Sequence, residues 1–352
     1  MQNNKFTKAK LYLKNGETLE AKNFGSIKSV AGEVVFATGM TGYPEALTDP
    51  SFKGQILVFT YPIIGSYGVP KKEFWESDKI QVSGLIVSQY IDTPSHHENA
   101  STLAQWFKKE NIPLLEIKDT RLLTQKLRDK GAMLGKIICK KDIPYQDPNK
   151  ENLVAEVSTK KIFSVGTGKK NIVLIDCGTK KNIAESVAKR GVKVTVVPWD
   201  TDPTSLSFTP DAVIISNGPG DPTKATATIK NVKKLLQKHI PILGICLGNQ
   251  ILNLASGGKT YKLKFGHRSQ NQPVLEVGTD KCYLTTQNHG FAVGTIPKNF
   301  KEWFRNANDD TNEGIIHQSL PFMSVQFHPE STPGPTDTDW IFDYFLKRAN
   351  IL

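Results

Sequence analysis

No stretch of this chain approaches the ~20 consecutive apolar residues needed to span a bilayer. Its first ten residues, MQNNKFTKAK, hold no apolar core of the kind a secretory signal needs. Cysteine is scarce and dispersed: Cys139, Cys177, Cys246 and Cys282 never fall in a CxxC spacing. That excludes a zinc knuckle or dithiol redox pair and predicts free thiols in a reducing, cytoplasmic compartment. Internal repeats and low-complexity segments are missing too, as is any basic block. The net charge is +11 and the pI near 9.3, but the lysines come as scattered doublets such as Lys71-Lys72, Lys140-Lys141 and Lys180-Lys181. With no zinc finger and no RNP-like aromatic cluster, the charge suits an acidic protein partner better than a nucleic-acid groove.

What is present is enough chain, 352 residues, for two domains with sizeable cores. Residues 1–140 read as an α+β domain. Lys10 to Leu13 stops at the hairpin dipeptide Asn15-Gly16, and Thr18 to Ala21, Glu33 to Ala37, Gln55 to Tyr61, Ser83 to Tyr90 and Gly135 to Lys140 read as further strands. Thr102 to Glu110 and Thr120 to Asp129 have helical spacing. Residues 141–170 are rich in Pro, Asn, Lys and Gly and read as a connector, partly ordered around Leu153 to Val157. Gly166-Thr167-Gly168-Lys169 lies there with no strand expected before it, so a phosphate loop is not expected.

From Asn171 strands and helices alternate: strands at Ile172 to Asp176, Val192 to Val197, Ala212 to Ile215 and Ile240 to Ile245, helices at Lys181 to Arg190 and Thr226 to Lys238. Such alternation predicts a doubly wound, mostly parallel sheet with its site at the strands' C-terminal ends. Shorter β segments come after Ser256, and a helix is expected from Thr338 to Arg348.

The strand at Ile240 runs directly into Gly244-Ile245-Cys246-Leu247-Gly248, and helical spacing resumes at Gln250. This is the strand–sharp turn–helix pattern of a nucleophile elbow, with cysteine in place of serine. A tight turn explains the flanking glycines, and a helix N-terminus favours a thiolate. A free cysteine buried as a small hydrophobe would look the same in isolation. A nucleophile needs a base and an orienter for that base. Of the seven histidines, His96 and His97 sit in a polar loop, His239 ends a helix, and His267 and His317 have no distinguishing context. His328 ends the strand Met323 to Phe327, and in His328-Pro329-Glu330 the carboxylate can turn back onto the imidazole. The loop Ser216 to Pro222 and the N–H of Leu247 could bind an oxyanion. Gln287 to Phe291 reads as a second polar loop, whose His289 has no carboxylate beside it.

Taken together, SNGPGDP (Ser216 to Pro222), GICLGNQ (Gly244 to Gln250) and HPE (His328 to Glu330) resemble the class I, triad glutamine amidotransferases. GEVVFATGMTGYPEALTDPS (Gly32 to Ser51), KFGHR (Lys264 to Arg268), TTQNHGFAV (Thr285 to Val293) and Pro329 to Pro335 extend the likeness, over nearly the full length, to the glutamine-hydrolysing small subunits of carbamoyl-phosphate synthetase. The resemblance implies that Cys246 attacks glutamine, His328 serves as base and acid, and Glu330 orients it. It implies glutamine binding by Ser51, Gly218, Gly220, Leu247, Gln250, Asn288, Gly290 and Phe291, with Ser51 bringing the first domain into the site. It further implies a large subunit that uses ATP, Mg and bicarbonate and receives the ammonia, for arginine or pyrimidine synthesis. No metal or cofactor is expected in this chain itself. Asn249 departs from the family's usual histidine in GICLGHQ. Three other readings have their own signals: another class I amidotransferase, against which TGYPEALTDPS speaks; a binding subunit without catalysis, suggested only by Asn249; and a nucleic-acid binder, suggested only by the charge.

Overall fold

The computed structural model describes residues 6–352, in two compact units, Met1–Pro148 and Asn149–Leu352. The first unit is built from nine strands and three α-helices. In chain order these are β1 (Thr7–Leu13), β2 (Thr18–Asn23), β3 (Val30–Ala37), α1 (Tyr43–Thr48), β4 (Gln55–Phe59), β5 (Ile63–Ile64), β6 (Gly84–Val87), β7 (Gln89–Tyr90), α2 (Leu103–Lys109), β8 (Leu114–Glu116), α3 (Thr120–Lys130) and β9 (Met133–Ile138). Seven of the strands close into a barrel in the order β1-β2-β8-β6-β4-β3-β9. Period-two alternation sends side chains to two cores. Val34, Ile56, Val58, Ile86 and Leu115 join Leu123 and Leu127 of α3, while Val35, Leu57, Phe59, Leu85 and Leu114 join Leu47, Leu103 and Phe107. The α2 helix starts with a capping box, Thr102 accepting from the Gln105 N–H while Gln105 accepts from that of Thr102. The sequence pattern does not reveal β8, which is only three residues long.

The second unit contains α4 (Leu153–Val157), β10 (Phe163–Val165), β11 (Asn171–Asp176), α5 (Lys181–Ala188), β12 (Lys193–Pro198), β13 (Ala212–Ile215), α6 (Thr226–Gln237), β14 (Ile242–Ile245), α7 (Leu247–Ala255), β15 (Lys259–Glu276), β16 (Cys282–Thr295), β17 (Phe300–Asn306), β18 (Asn312–His317), β19 (Phe322–Val325) and α8 (Trp340–Arg348). Its sheet has ten strands in the order β10-β12-β11-β13-β14-β19-β18-β16-β15-β17. The pairings from β12 through β11, β13 and β14 to β19 are parallel. Beyond β19 the sheet continues antiparallel. The parallel strands are apolar on both sides because helices cover both faces. Ile172, Leu174, Ile214, Leu243, Ile245 and Val325 pack with α5 and α8. Val173, Ile175, Val213, Ile215 and Ile242 pack with α6 and α7.

The structure changes two expectations. The stretch 141–170 is divided between the units, and its second part is structured. Asn152 caps α4 with a side-chain bond to the Ala155 N–H, and β10 pairs antiparallel with β12. A strand therefore does precede Gly166-Thr167-Gly168-Lys169. The next element is the strand β11 rather than a helix, so no helix N-terminus is available to hold a phosphate. The second change is at Gln287 to Phe291, expected as a polar loop. It lies within the long β16, with His289 opposite His267 and Asn288 opposite Arg268 of β15.

Candidate active site

Cys246 stands between β14 and α7 with φ 54° and ψ −103°. A non-glycine residue held at positive φ is a strained conformation that the surrounding structure must impose. The imposing contacts are identifiable. A Cβ on Gly244 would collide with the carbonyl of Gly248, and one on Gly248 with the carbonyl of Ile215 in the neighbouring strand. Only glycine at both places lets the chain turn so sharply. The Cys246 N–H is fixed to the Val325 carbonyl at 2.8 Å, continuing the β14–β19 ladder. The N–H groups of Leu247 and Gly248 open α7 and have no intrahelical acceptor. The sulfur is buried and lies 3.6 Å from the Asn288 carbonyl.

His328 comes after β19 and is tied by its N–H to the Thr286 carbonyl at 2.9 Å. Its Nδ1 lies 2.6 Å from Glu330 Oε1, both side chains fully buried. Its Nε2 makes no hydrogen bond to the protein. Burial works against the imidazolium, but the Glu330 carboxylate and the Cys246 sulfur outweigh it and raise His328 to about 10. Burial likewise works against the Glu330 carboxylate, and Lys180 and His328 overcome it, holding Glu330 down to about 2. The His328-Pro329-Glu330 turn therefore holds an ion pair.

Lys180 is a participant that no sequence motif announces. Its side chain is only 2% exposed, and Nζ donates to Glu330 Oε1 at 3.0 Å and to the Ser331 carbonyl. Asn182, in the first turn of α5, donates to the Glu330 carbonyl and to Thr332 Oγ1 at 2.7 Å. The Lys180 N–H in turn donates to Asn217 Oδ1 at 3.0 Å, and Ser216 Oγ accepts from the Cys177 N–H at 2.9 Å. These bonds tie the Ser216 to Pro222 loop, with Gly218 and Gly220, to the head of α5. Cys177 is buried, and its thiol is pushed up by that burial.

On the other side of α7, Gln250 donates to the Phe291 carbonyl at 2.8 Å and to Gln326 Oε1 at 3.1 Å. Asn249 points into the protein. It donates to Gln326 Oε1 at 3.1 Å and accepts from Ser324 Oγ at 2.7 Å, so both atoms of its amide are used in fastening α7 to the sheet. Thus Cys246, Leu247, Gln250, Asn288 and Phe291 are joined by hydrogen bonds or direct sequence neighbourhood, and the Cys246 sulfur acts electrostatically on His328, which is bonded to Glu330. Gly290 lies in the same strand as Asn288 and Phe291, and Gly218 and Gly220 in the tied loop. Ser51 belongs to the first unit, in a short 3-10 turn where its N–H donates to Asp49 Oδ1 at 2.9 Å. Among the described residues two groups have atoms spaced as metal ligands would be, the exposed His96-His97-Glu98 and the buried His267-His289-Glu313. In the buried group the ring nitrogens already face protein acceptors, at His267 to Gln287 and Asp309 and at His289 to Gln287 and Phe291.

A buried thiol at a strained helix head, beside a histidine–carboxylate pair, can do acyl transfer through a thioester. Comparison with known proteins points the same way. Residues 173–348 match the family described as Glutamine amidotransferase class-I, and residues 11–137 match Carbamoyl-phosphate synthase small chain, CPSase domain. The carbamoyl phosphate synthase arginine-specific small chain of Saccharomyces cerevisiae is 47% identical over 97% of this chain and 89% of that protein. The chain belongs to the carbamoyl-phosphate synthase small-chain family. Other relatives of this small chain are longer. Multifunctional protein CAD of Squalus acanthias is 50% identical over 97% of the chain, which spans 16% of that protein. The mitochondrial carbamoyl-phosphate synthase [ammonia] of Homo sapiens is 46% identical over 96% of the chain, which spans 23% of it. No described helix of the small chain is long and apolar enough to cross a membrane.

Proposed function

We propose that this chain is the glutaminase subunit of a glutamine-dependent carbamoyl-phosphate synthase. The observation that carries the reading is Cys246, strained at the head of α7, with the buried His328–Glu330 pair after the adjoining strand β19. The Cys246 thiolate, its proton already held on the His328 imidazolium, attacks the side-chain amide carbon of L-glutamine. The oxyanion is met by the Leu247 N–H and the Gly218 loop. The C–N bond then breaks as His328 returns the proton to the leaving ammonia, leaving a γ-glutamyl thioester. Water, deprotonated by His328, hydrolyses the thioester to glutamate. Glu330 keeps the imidazole aligned and its charge compensated throughout. Substrate binding is assigned to Gly218, Gly220, Leu247, Gln250, Asn288, Gly290 and Phe291, whose small, amide or main-chain groups suit an amino acid's polar ends. Ammonia passes to an ATP-using large subunit that supplies the Mg and bicarbonate chemistry, and the four free cysteines fit a cytoplasmic setting.

The test is synthesis by the chain paired with its large subunit. Cys246→Ala is expected to abolish glutamine-dependent carbamoyl phosphate formation and leave ammonia-dependent formation intact. Loss of both in an assembled complex would contradict the division of labour.

A further inference from the structure

The buried cluster beside the site has an organisation that the triad does not explain. His267 of β15 is nearly buried and sits between two carboxylates. Its Nε2 lies 3.0 Å from Asp309 Oδ2, and its Nδ1 lies 3.4 Å from Glu313 Oε1. Burial opposes a charge there, but the two carboxylates prevail and raise His267 above the ordinary imidazole value. The same Nδ1 is 3.0 Å from Gln287 Oε1. Gln287 cannot choose its orientation freely, because its amide nitrogen donates to Thr285 Oγ1 at 3.1 Å, and that hydroxyl donates to the Gln272 carbonyl. Its oxygen therefore faces His267 on one side and His289 Nε2, 3.1 Å away, on the other.

His289 completes the array. It is fully buried and its charge is strongly disfavoured by that burial, so as a neutral ring it has a single N–H for two acceptors, Gln287 Oε1 and the Phe291 carbonyl at 2.9 Å. Gln287 Oε1 has two lone pairs, so accepting from His267 Nδ1 leaves it able to accept from His289 as well, and His267 acts by holding the Gln287 side chain in place. The Phe291 carbonyl also receives the Gln250 amide. Between His289 and Gln287 lies Asn288, whose carbonyl faces the Cys246 sulfur.

We propose that His267 is a positioning residue for glutamine binding: clamped by Asp309 and Glu313, it fixes Gln287 and His289 and so sets the strand Asn288–Phe291 and the Gln250 amide against the thiol. His267 touches neither the sulfur nor His328, so its contribution falls on substrate affinity and not on thiol reactivity. This rests on the glutaminase reading above.

The two are separable with two alkylating probes on the full chain, with mass analysis of the Cys246-containing peptide as the readout. One is 6-diazo-5-oxo-L-norleucine, which carries glutamine's α-amino and carboxylate groups, and the other is iodoacetamide, which carries neither. His267→Ala is expected to raise the half-saturating diazoketone concentration about 10-fold, the size expected for losing one well-placed hydrogen bond, with iodoacetamide labelling unchanged. His267→Asn, whose amide can replace the Nδ1–H donor, should bring the value back to within about 3-fold of the wild type. Asp309→Ala loosens the ring from a side chain that is 41% exposed, so it leaves the core filled, and it should give an intermediate rise. An unchanged half-saturation in a folded variant, or equal loss of both labelling reactions, overturns the proposal. Failure of the diazoketone to label Cys246 in the wild-type chain overturns the glutaminase reading itself.

Discussion

Lys180 is the residue whose role is least visible from its surroundings in the chain. It is half of one of the scattered lysine doublets, and its burial is decided by a carboxylate 150 residues away. No local pattern carries such a partnership. His328 and Glu330, by contrast, are legible because they are two residues apart with a proline between them. The buried Lys180–Glu330 pair predicts the cost of breaking it. Lys180→Met should destabilise the fold by about 3 kcal/mol in urea unfolding, since it strands a buried carboxylate with one partner fewer. Glycines 244 and 248 are legible for the same reason as the triad: their requirement is local. Gly248→Ala should cost about 2 to 3 kcal/mol, because the added carbon meets main chain that cannot move aside. Glutamine hydrolysis should fall with it, the turn being what aims the sulfur.

The same charges give the site a pH signature. Glu330 is held below its unfolded value of about 4.3, so its stabilising effect is present above that pH and lost as pH falls toward 2. His328 is held above its unfolded value of about 6.5, so its effect is full below that pH and lost as pH rises toward 10. Urea midpoints should therefore peak between about pH 4.5 and 6.5 and decline on both sides. Glu330→Gln should flatten both limbs, since it removes one group and the main charge acting on the other.

At the level of elements, the strands and helices built on apolar periodicity are where the sequence places them, from β11 to α7. The misplaced elements share a cause. Gln287 to Phe291 lies in β16, but its side chains are the polar ones that line and brace a site, so they show no hydrophobic alternation. Phe163–Val165 forms β10 at the sheet's edge, where exposed side chains and a three-residue length hide it among linker-like neighbours. Asn249 is irregular against the family pattern, and its position next to the catalytic turn suggests the substrate. Its place on the inner face of α7, bonded to Ser324 and Gln326, makes it a fastening between helix and sheet. Asn249→Leu should therefore strip the buried Ser324 hydroxyl of its acceptor and Gln326 Oε1 of one of its two donors, and lower stability by about 2 kcal/mol, measured by urea unfolding.

Among the described residues, each of the four large apolar clusters is drawn from one unit. The two cores of the first unit use residues up to Cys139, and those of the second begin at Val154. A chain of residues 149–352 alone is expected to unfold in one cooperative urea transition. A boundary drawn at 170 would remove α4 and β10 and should give a less stable product. Leu153 and Val154 are buried in the second unit, and β10 protects the edge of its sheet.

The strand order also sets a timetable. β19 is the last of this sheet's strands to be synthesised, yet it lies in the interior of the sheet, between β14 and β18. While a ribosome is still making residues 247–321, Cys246 exists without Val325 to pin its backbone and without His328 to take its proton. The parallel half of the sheet must wait with an open edge until β19 slots in. On the proposed reading, Cys246 therefore meets its base only after the strands on both sides of β19 have been made.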